Sequence, residues 1–211
     1  NILLDNNFYP AGIRDLFVDD DKVYISLYFK TAKGFSLNIY HADLNFEKLE
    51  FRIFFATNEY WKNFTVRTGG RIEKFKDNKI LVSIGDGATK GASQDNNSFL
   101  GKIISIDKNT RTHQYVSMGH RNPQGLFYVT DIDAIINTEH GPEGGDEINI
   151  NFQKTKDIPN YGWDISSYGK EYGGKDSYKK SHKEYGFVEP FKYYVPSIGI
   201  SEIIYLNNKT N

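Results

Sequence analysis

The sequence predicts an all-β fold assembled from propeller blades, and three observations carry that expectation. Aromatic residues make up 15% of the chain and sit among many Ile and Val, the composition of pleated, half-buried surfaces, with no Ala/Leu-rich helical periodicity. Short apolar runs are broken by Asp, Asn, Gly and Lys turns, as in GIRDLFVDDDKVYISLYF, which reads as strand, acidic turn, strand. That unit recurs, opening at Gly12, Gly70, Gly125 and Gly199. Further strand candidates lie between the openings: SLNIYHADL and LEFRIFFAT, then GKIISID and HQYVSMG, then DEINI. Four short antiparallel strands per repeat is the signature of a blade, which cannot bury both of its faces alone.

Counting gives three nearly complete blades and the first strand of a fourth. The expectation is therefore a single partial propeller domain over residues 1–211, part of a longer chain, because an open ring leaves apolar surface and strand edges in water. Asn1, with neither Met nor a charged leader, reads as a processed or excised start. The stretch 161–194 is too rich in Tyr, Phe and Trp for a disordered linker and predicts a pocket-lining excursion between blades.

Bulk properties exclude several classes. The chain carries 26 basic and 27 acidic residues with no Lys/Arg cluster beyond isolated pairs such as Lys179-Lys180, so no nucleic-acid partner is expected. No cysteine is present, which rules out disulfides, zinc-thiolate sites and cysteine nucleophiles and leaves oxygen or imidazole to hold any metal. No apolar run approaches the roughly 20 residues of a membrane span.

Chemistry concentrates in two loops, each following a predicted strand: GHRNPQGL at 119–126 and TEHGPEGGDEINI at 138–150. A Gly-Pro pair flanked by glycines fixes a tight loop whose carbonyls can point one way, with Glu143, Asp146 and Glu147 nearby. That donor set suits a hard cation such as calcium. Taken alone, such a loop is more often a solvated acidic turn, and it lacks the spacing of an EF-hand. GDGATKGAS at 85–93 lacks the ending of a phosphate loop and reads as a blade turn. Tyr168, Tyr172, Tyr178, Tyr185, Phe187, Tyr193 and Tyr194 serve sugar stacking and inter-blade packing equally well.

GHRNPQG, EHGPEGGDE and the later NYGW at 160–163, at this spacing, resemble the glucose/sorbosone dehydrogenase family of soluble pyrroloquinoline-quinone (PQQ) aldose dehydrogenases. GGRI at 69–72, IGDG at 84–87, QD at 94–95 and LGKIISID at 100–107 extend the resemblance more weakly over nearly the whole chain. It implies a six-bladed propeller, periplasmic or secreted, that oxidises a small sugar with calcium-assisted hydride transfer to the quinone. It implies that Arg121, Asn122 and Tyr172 contact PQQ, for which a guanidinium fork and an amide are apt partners of carboxylates and carbonyls. It also implies that the Gly141 and Pro142 carbonyls hold the calcium that polarises the quinone, while Glu147 and the Tyr161 carbonyl hold a structural calcium.

Two departures stand against full activity. The family's general-base histidine falls where this chain reads NFTVRTGGRI, which places Arg67 there, and a guanidinium cannot act as a base. The family's early quinone-contacting glutamine falls in FYPAGIRDL, where Tyr9, Pro10 and Ala11 stand. His120 and His140 are candidate bases but read more readily as positioning residues, and His41, in a strand-like run, as structural. The expectation is thus a sugar dehydrogenase-like protein, catalysis weakened at Arg67. The alternatives are a non-catalytic, calcium-stabilised propeller that binds a sugar, a quinone-like ligand or a protein, and, on fold analogy alone, a lactonase.

Overall fold

A computed structural model describes residues 9–154 and 157–206; the side chains of Tyr9 and Pro10, and with them the expected loss of a quinone contact at Pro10, lie outside the described part. The described residues form three four-stranded antiparallel sheets and no α-helix. Blade 1 is β1 (Tyr9–Asp19), β2 (Lys22–Thr31), β3 (Gly34–Asp43) and β4 (Arg52–Ala56). Blade 2 is β5 (Gly69–Phe75), β6 (Lys79–Ile84), β7 (Lys102–Asp107) and β8 (His113–Met118). Blade 3 is β9 (Pro123–Val129), β10 (Ala134–Glu139), β11 (Asp146–Phe152) and β12 (Lys192–Tyr194). The acidic turn of GIRDLFVDDDKVYISLYF joins β1 to β2 through Asp20, whose left-handed φ of 53° is one that Asp tolerates.

The middle strands of blade 2 are apolar on both faces because a neighbouring blade covers each of them. In β6, Ile80 and Val82 join Tyr24, Tyr28, Leu37 and Ile39 of blade 1, whereas Leu81 turns the other way to Leu126 and Ile135 of blade 3. Fully burying one such side chain contributes about 1.5–3 kcal/mol, so these two seams hold the blades together. β1, β5 and β9 lie side by side as the inner strands. Gly70, with φ 104°, permits the approach of β1 to β5: a Cβ there would stand 2.5 Å from the Arg14 Cβ.

Blade 3 shows what an uncovered face looks like. Its register puts Ile135 opposite Asn151 on the side of blade 2, where Asn151 donates to the Val116 carbonyl. Ile136 and Ile150, paired on the opposite face, are only half-buried, and Phe152 at the end of β11 is exposed.

One expectation is refined and one corrected. Residues 200–206, where a fourth blade is expected to start, run beside β9, where a Cβ on Gly125 would meet the Ser201 carbonyl at 2.6 Å; they carry no ladder because no second strand among the described residues pairs with them. The aromatic excursion lies inside blade 3 rather than between blades, since the chain leaves after β11 and returns as β12, pairing Tyr193 with Glu147. A three-residue strand offers no periodicity to read. The excursion is pinned to the end of blade 2 by Met118 N–H to Pro159 O (3.0 Å), Tyr161 N–H to Met118 O (2.9 Å) and Trp163 N–H to Gly119 O (3.0 Å).

Candidate functional site

At one end of the blades, a cleft of about 740 Å³ is lined by Arg14, Thr65, Val66, Arg67, Ala88, Arg121, Asn122, Gln124, His140, Gly141, Pro142, Asp146, Tyr172 and Ser197. It gathers the three expected quinone contacts, the two expected calcium carbonyls and the residue in place of the base. Behind it, Glu147 and Tyr161 line a much smaller cavity that shares Arg121, His140 and Gly141 with the cleft.

Arg121 is buried, and its backbone N–H donates to Glu139 Oε2 at 2.7 Å. Its Nη1 donates to the His140 carbonyl (3.0 Å) and its Nη2 to the Tyr172 hydroxyl (3.2 Å), and its Cζ lies 5.3 Å from the Trp163 ring. No carboxylate among the described residues pairs with it, so it is not a surface salt bridge. Asn122 Oδ1 accepts from Gly69 N–H (3.3 Å) and Gln124 Nε2 (2.9 Å), which leaves its amide nitrogen for a ligand.

The Gly141-Pro142 loop is held by one carboxylate. Asp146, buried under it, accepts from the Gly141 N–H (3.0 Å), the Ser197 hydroxyl (2.9 Å) and the N–H groups of Ile198, Gly199 and Ile200 (3.0, 2.8 and 3.2 Å). Burial alone would raise this carboxyl, and those hydrogen bonds outweigh burial and hold it below its ordinary range. Only glycine fits at 141, since a Cβ would lie 2.3 Å from the Gly144 and Gly145 carbonyl oxygens. Among the described residues, no hydrogen bond reaches the Gly141 or Pro142 carbonyl, so both are free to meet a cation. Glu143 lies apart on the exposed side and accepts from Gly174 N–H.

The small cavity is short of donors. Burial, with Glu139 adding repulsion, pushes the Glu147 carboxyl well above its ordinary value, whereas His120 and the Arg121 N–H outweigh burial at Glu139 and hold it low. Both ring nitrogens of the fully buried His182, Asn149 Oδ1 and Ser166 Oγ have no hydrogen-bond partner, and His182 Nε2 stands 3.6 Å from Glu147. Orphaned polar atoms around a buried, unneutralised carboxylate fit a cation or ordered water. No three His, Asp or Glu side chains among the described residues converge as a metal cage, so a cation there would rest largely on carbonyl oxygens.

The histidines separate cleanly. His120 is fully buried between Ser117 Oγ (2.7 Å) and Glu139 Oε1 (2.8 Å) and stacks on Tyr161. His41 packs on Tyr24 and Phe54 in blade 1 and does not line the cleft. His140 lines the cleft.

Arg67 lines the cleft on the other wall, its Nε 3.1 Å from Asp86 Oδ1. Asp86, read from the sequence only as part of a blade turn, is buried and also accepts from Trp163 Nε1 (2.7 Å) and Ala88 N–H (2.8 Å). Burial pushes its carboxyl upward and Arg67 pulls against that. Arg14 on β1 also lines the cleft, its guanidinium 5.0 Å from the Tyr28 ring. A cation next to Asp15 in an otherwise apolar strand run is its one mark in the sequence.

Three blades with a cationic cleft at one end define a segment of a β-propeller. The chain belongs to the glucose/sorbosone dehydrogenase family, whose description matches residues 11–211. Among curated proteins, an uncharacterized protein of Synechocystis sp. is 29% identical over 97% of this chain and 53% of its own length. The aldose sugar dehydrogenase YliI of Escherichia coli is 30% identical over 66% of this chain and 40% of its own. The chain thus spans about half the length of the curated relatives it matches. A crystal structure of a glucose dehydrogenase superposes with a TM-score of 0.78 at 24% identity, covering 90% of this chain and 60% of that one. The PQQ-bound aldose sugar dehydrogenase of Streptomyces coelicolor gives 0.55 at 25% identity, covering 77% and 48%. No helix among the described residues is long and apolar enough to cross a membrane.

Proposed function

We propose that this chain forms the cofactor-binding part of a PQQ-dependent aldose sugar dehydrogenase-like propeller, periplasmic or secreted, whose turnover is held back at Arg67. The observation that carries this reading is that Arg121, Asn122, Tyr172, Gly141 and Pro142 line one cleft. Arg121 and Asn122 would hold the quinone's carboxylate and carbonyl oxygens, the free carbonyls of Gly141 and Pro142 a calcium, and Glu147 with the Tyr161 carbonyl a second. Bound there, the quinone supplies a two-electron hydride acceptor and the calcium a Lewis acid beside it.

The chain's own task is to orient the sugar and take the hydroxyl proton as hydride leaves the same carbon. Arg67 stays protonated and cannot take it. Its cation beside the sugar instead favours an alkoxide without accepting the proton. The cleft has no histidine at that wall to replace it.

The test is purified protein supplied with PQQ and calcium, assayed for quinone binding and for dye reduction with aldoses. Bound quinone and weak dye reduction are expected, with Arg67→His raising turnover by about 10²-fold or more, the usual contribution of a positioned base. Absence of quinone binding would sink the reading. A calcium-dependent rise in melting temperature without quinone binding would favour the non-catalytic propeller, for which the Arg67–Asp86 pair is the supporting observation.

A further inference from the structure

The cleft holds more positive charge than the chain neutralises. Arg14 has no hydrogen-bond or carboxylate partner among the described residues, and its Nε is buried. Arg67 spends Nε on Asp86 and has no partner for either Nη group. The Arg121 guanidinium donates only to a carbonyl and a hydroxyl, both uncharged. Against these three guanidiniums stand two carboxylates, Asp86 and Asp146, and both oxygens of Asp146 are saturated by loop donors.

The two emptier arginines belong to blade 1 and to the segment entering blade 2, whereas Arg121, Asn122 and Tyr172 belong to the blade 3 side. Half-buried guanidiniums without acceptors keep desolvated donors unmet, a cost that an incoming anion relieves. With Nε engaged, Arg67 presents its two terminal nitrogens, and a planar fork of this kind matches a carboxylate better than a neutral hydroxyl. A second cleft of about 510 Å³, lined by Lys90, Trp163, Asp164 and Tyr178 among others, also includes Arg67, so this arginine stands where a ligand bound in either space would meet it.

We propose that Arg14 and Arg67 form an anion subsite that makes the ligand a sugar acid, a hexuronate-type pyranose whose carboxylate they bind, rather than a neutral aldose. The sugar part rests on the function proposed above; the anion part does not. The proposal involves binding alone.

The experiment is calorimetric titration of the full chain with calcium and without PQQ, using glucuronate, glucose and sulfate at matched ionic strength. Glucuronate should bind about tenfold or more tightly than glucose, as one charge-assisted pair implies. Arg14→Gln, which breaks no ion pair, should erase that preference with an unchanged thermal midpoint; Arg67→Gln, which leaves the buried Asp86 unpaired, should erase it at a lowered midpoint, with circular dichroism at the titration temperature confirming folding. Equal binding of glucose and glucuronate, or no binding of either, overturns the proposal. Sulfate displacing glucuronate at equal concentration overturns the sugar-acid identity. A separate PQQ titration in which both variants lose tenfold or more in affinity assigns the arginines to the quinone and overturns it too. Failure of the wild-type chain to bind PQQ, with the glucuronate preference intact, would remove the quinone reading and leave the subsite standing.

Discussion

The two walls of the cleft are built by different means. On the blade 3 side, backbone N–H groups are tied to buried carboxylates: Arg121 N–H to Glu139, and Gly141, Ile198, Gly199 and Ile200 N–H to Asp146. On the blade 1 and 2 side, the cationic groups are held by side-chain contacts, Arg67 with Asp86 and Arg14 over Tyr28, and one backbone donor, the Ala88 N–H, meets a buried carboxylate. Main-chain fastening fixes loop geometry whatever side chain projects from it, whereas a side-chain pair is rewritten by one substitution. The fastened wall carries the residues proposed to hold the cofactor, and the other carries Arg67, proposed to stand in place of the base.

The largest effect should come from cutting the fastening. Asp146→Ala strands four backbone donors and a hydroxyl beneath the Gly141-Pro142 loop, and hydrogen bonds to a buried charge are individually worth about 1.5–3 kcal/mol. Their energies are not additive, so a loss of about 3 kcal/mol or more is expected. For a chain of this size that lowers the thermal midpoint by roughly 6–12 °C. A drop of less than about 2 °C in calcium-free buffer would mean that the loop is held otherwise and that the two walls do not differ as described.

A smaller effect lies on the strand that leads away from the side-chain wall. Glu73 on β5 is pushed up to about 7, first by burial and then by the repulsion of Glu202, Asp15 and Asp19, with only the Lys74 N–H opposing. Its neutral form is the one the fold favours, so its contribution is present below its ordinary value of 4.5 and is lost as pH rises through about 7. Glu73→Gln should therefore leave stability nearly unchanged near pH 4, raise it progressively between about 4.5 and 7 and give a constant gain above that, measured by urea unfolding across the range. A gain that shrank with rising pH would show that Glu73 is stabilised as a carboxylate by a cation.

How far the sequence reached follows the same division. All four strands of blades 1 and 2 were readable, because runs such as KVYISLYF and KILVSI are apolar on both faces and end at turn residues. The blade 3 wall was readable as motif, since a loop that only glycine can form, as at Gly141, leaves a mark in the sequence. Arg14 and the Arg67–Asp86 pair were not, because they meet through the packing of separate strands and loops at separations no local pattern encodes. Lys102 shows the same limit: a lysine opening a strand reads as solvated, yet it is buried with Nζ donating to the carbonyls of Ala92, Ser93 and Leu100.

The smallest effect separates a wall from its rim. Tyr172 is 74% exposed, and its hydroxyl accepts from Arg121 Nη2 at 3.2 Å. A single neutral acceptor at that distance, open to water, contributes about 1 kcal/mol or less, because solvent replaces it. Tyr172→Phe should then weaken PQQ by less than about tenfold, while the ring still lies 5.9 Å from the Arg121 guanidinium. Arg121→Met, which removes the buried cation itself, should cost far more in the same titration. If the two variants lose affinity equally, Tyr172 fixes the direction of the Arg121 fork, and the exposed excursion of blade 3 belongs to the fastened wall rather than to its rim.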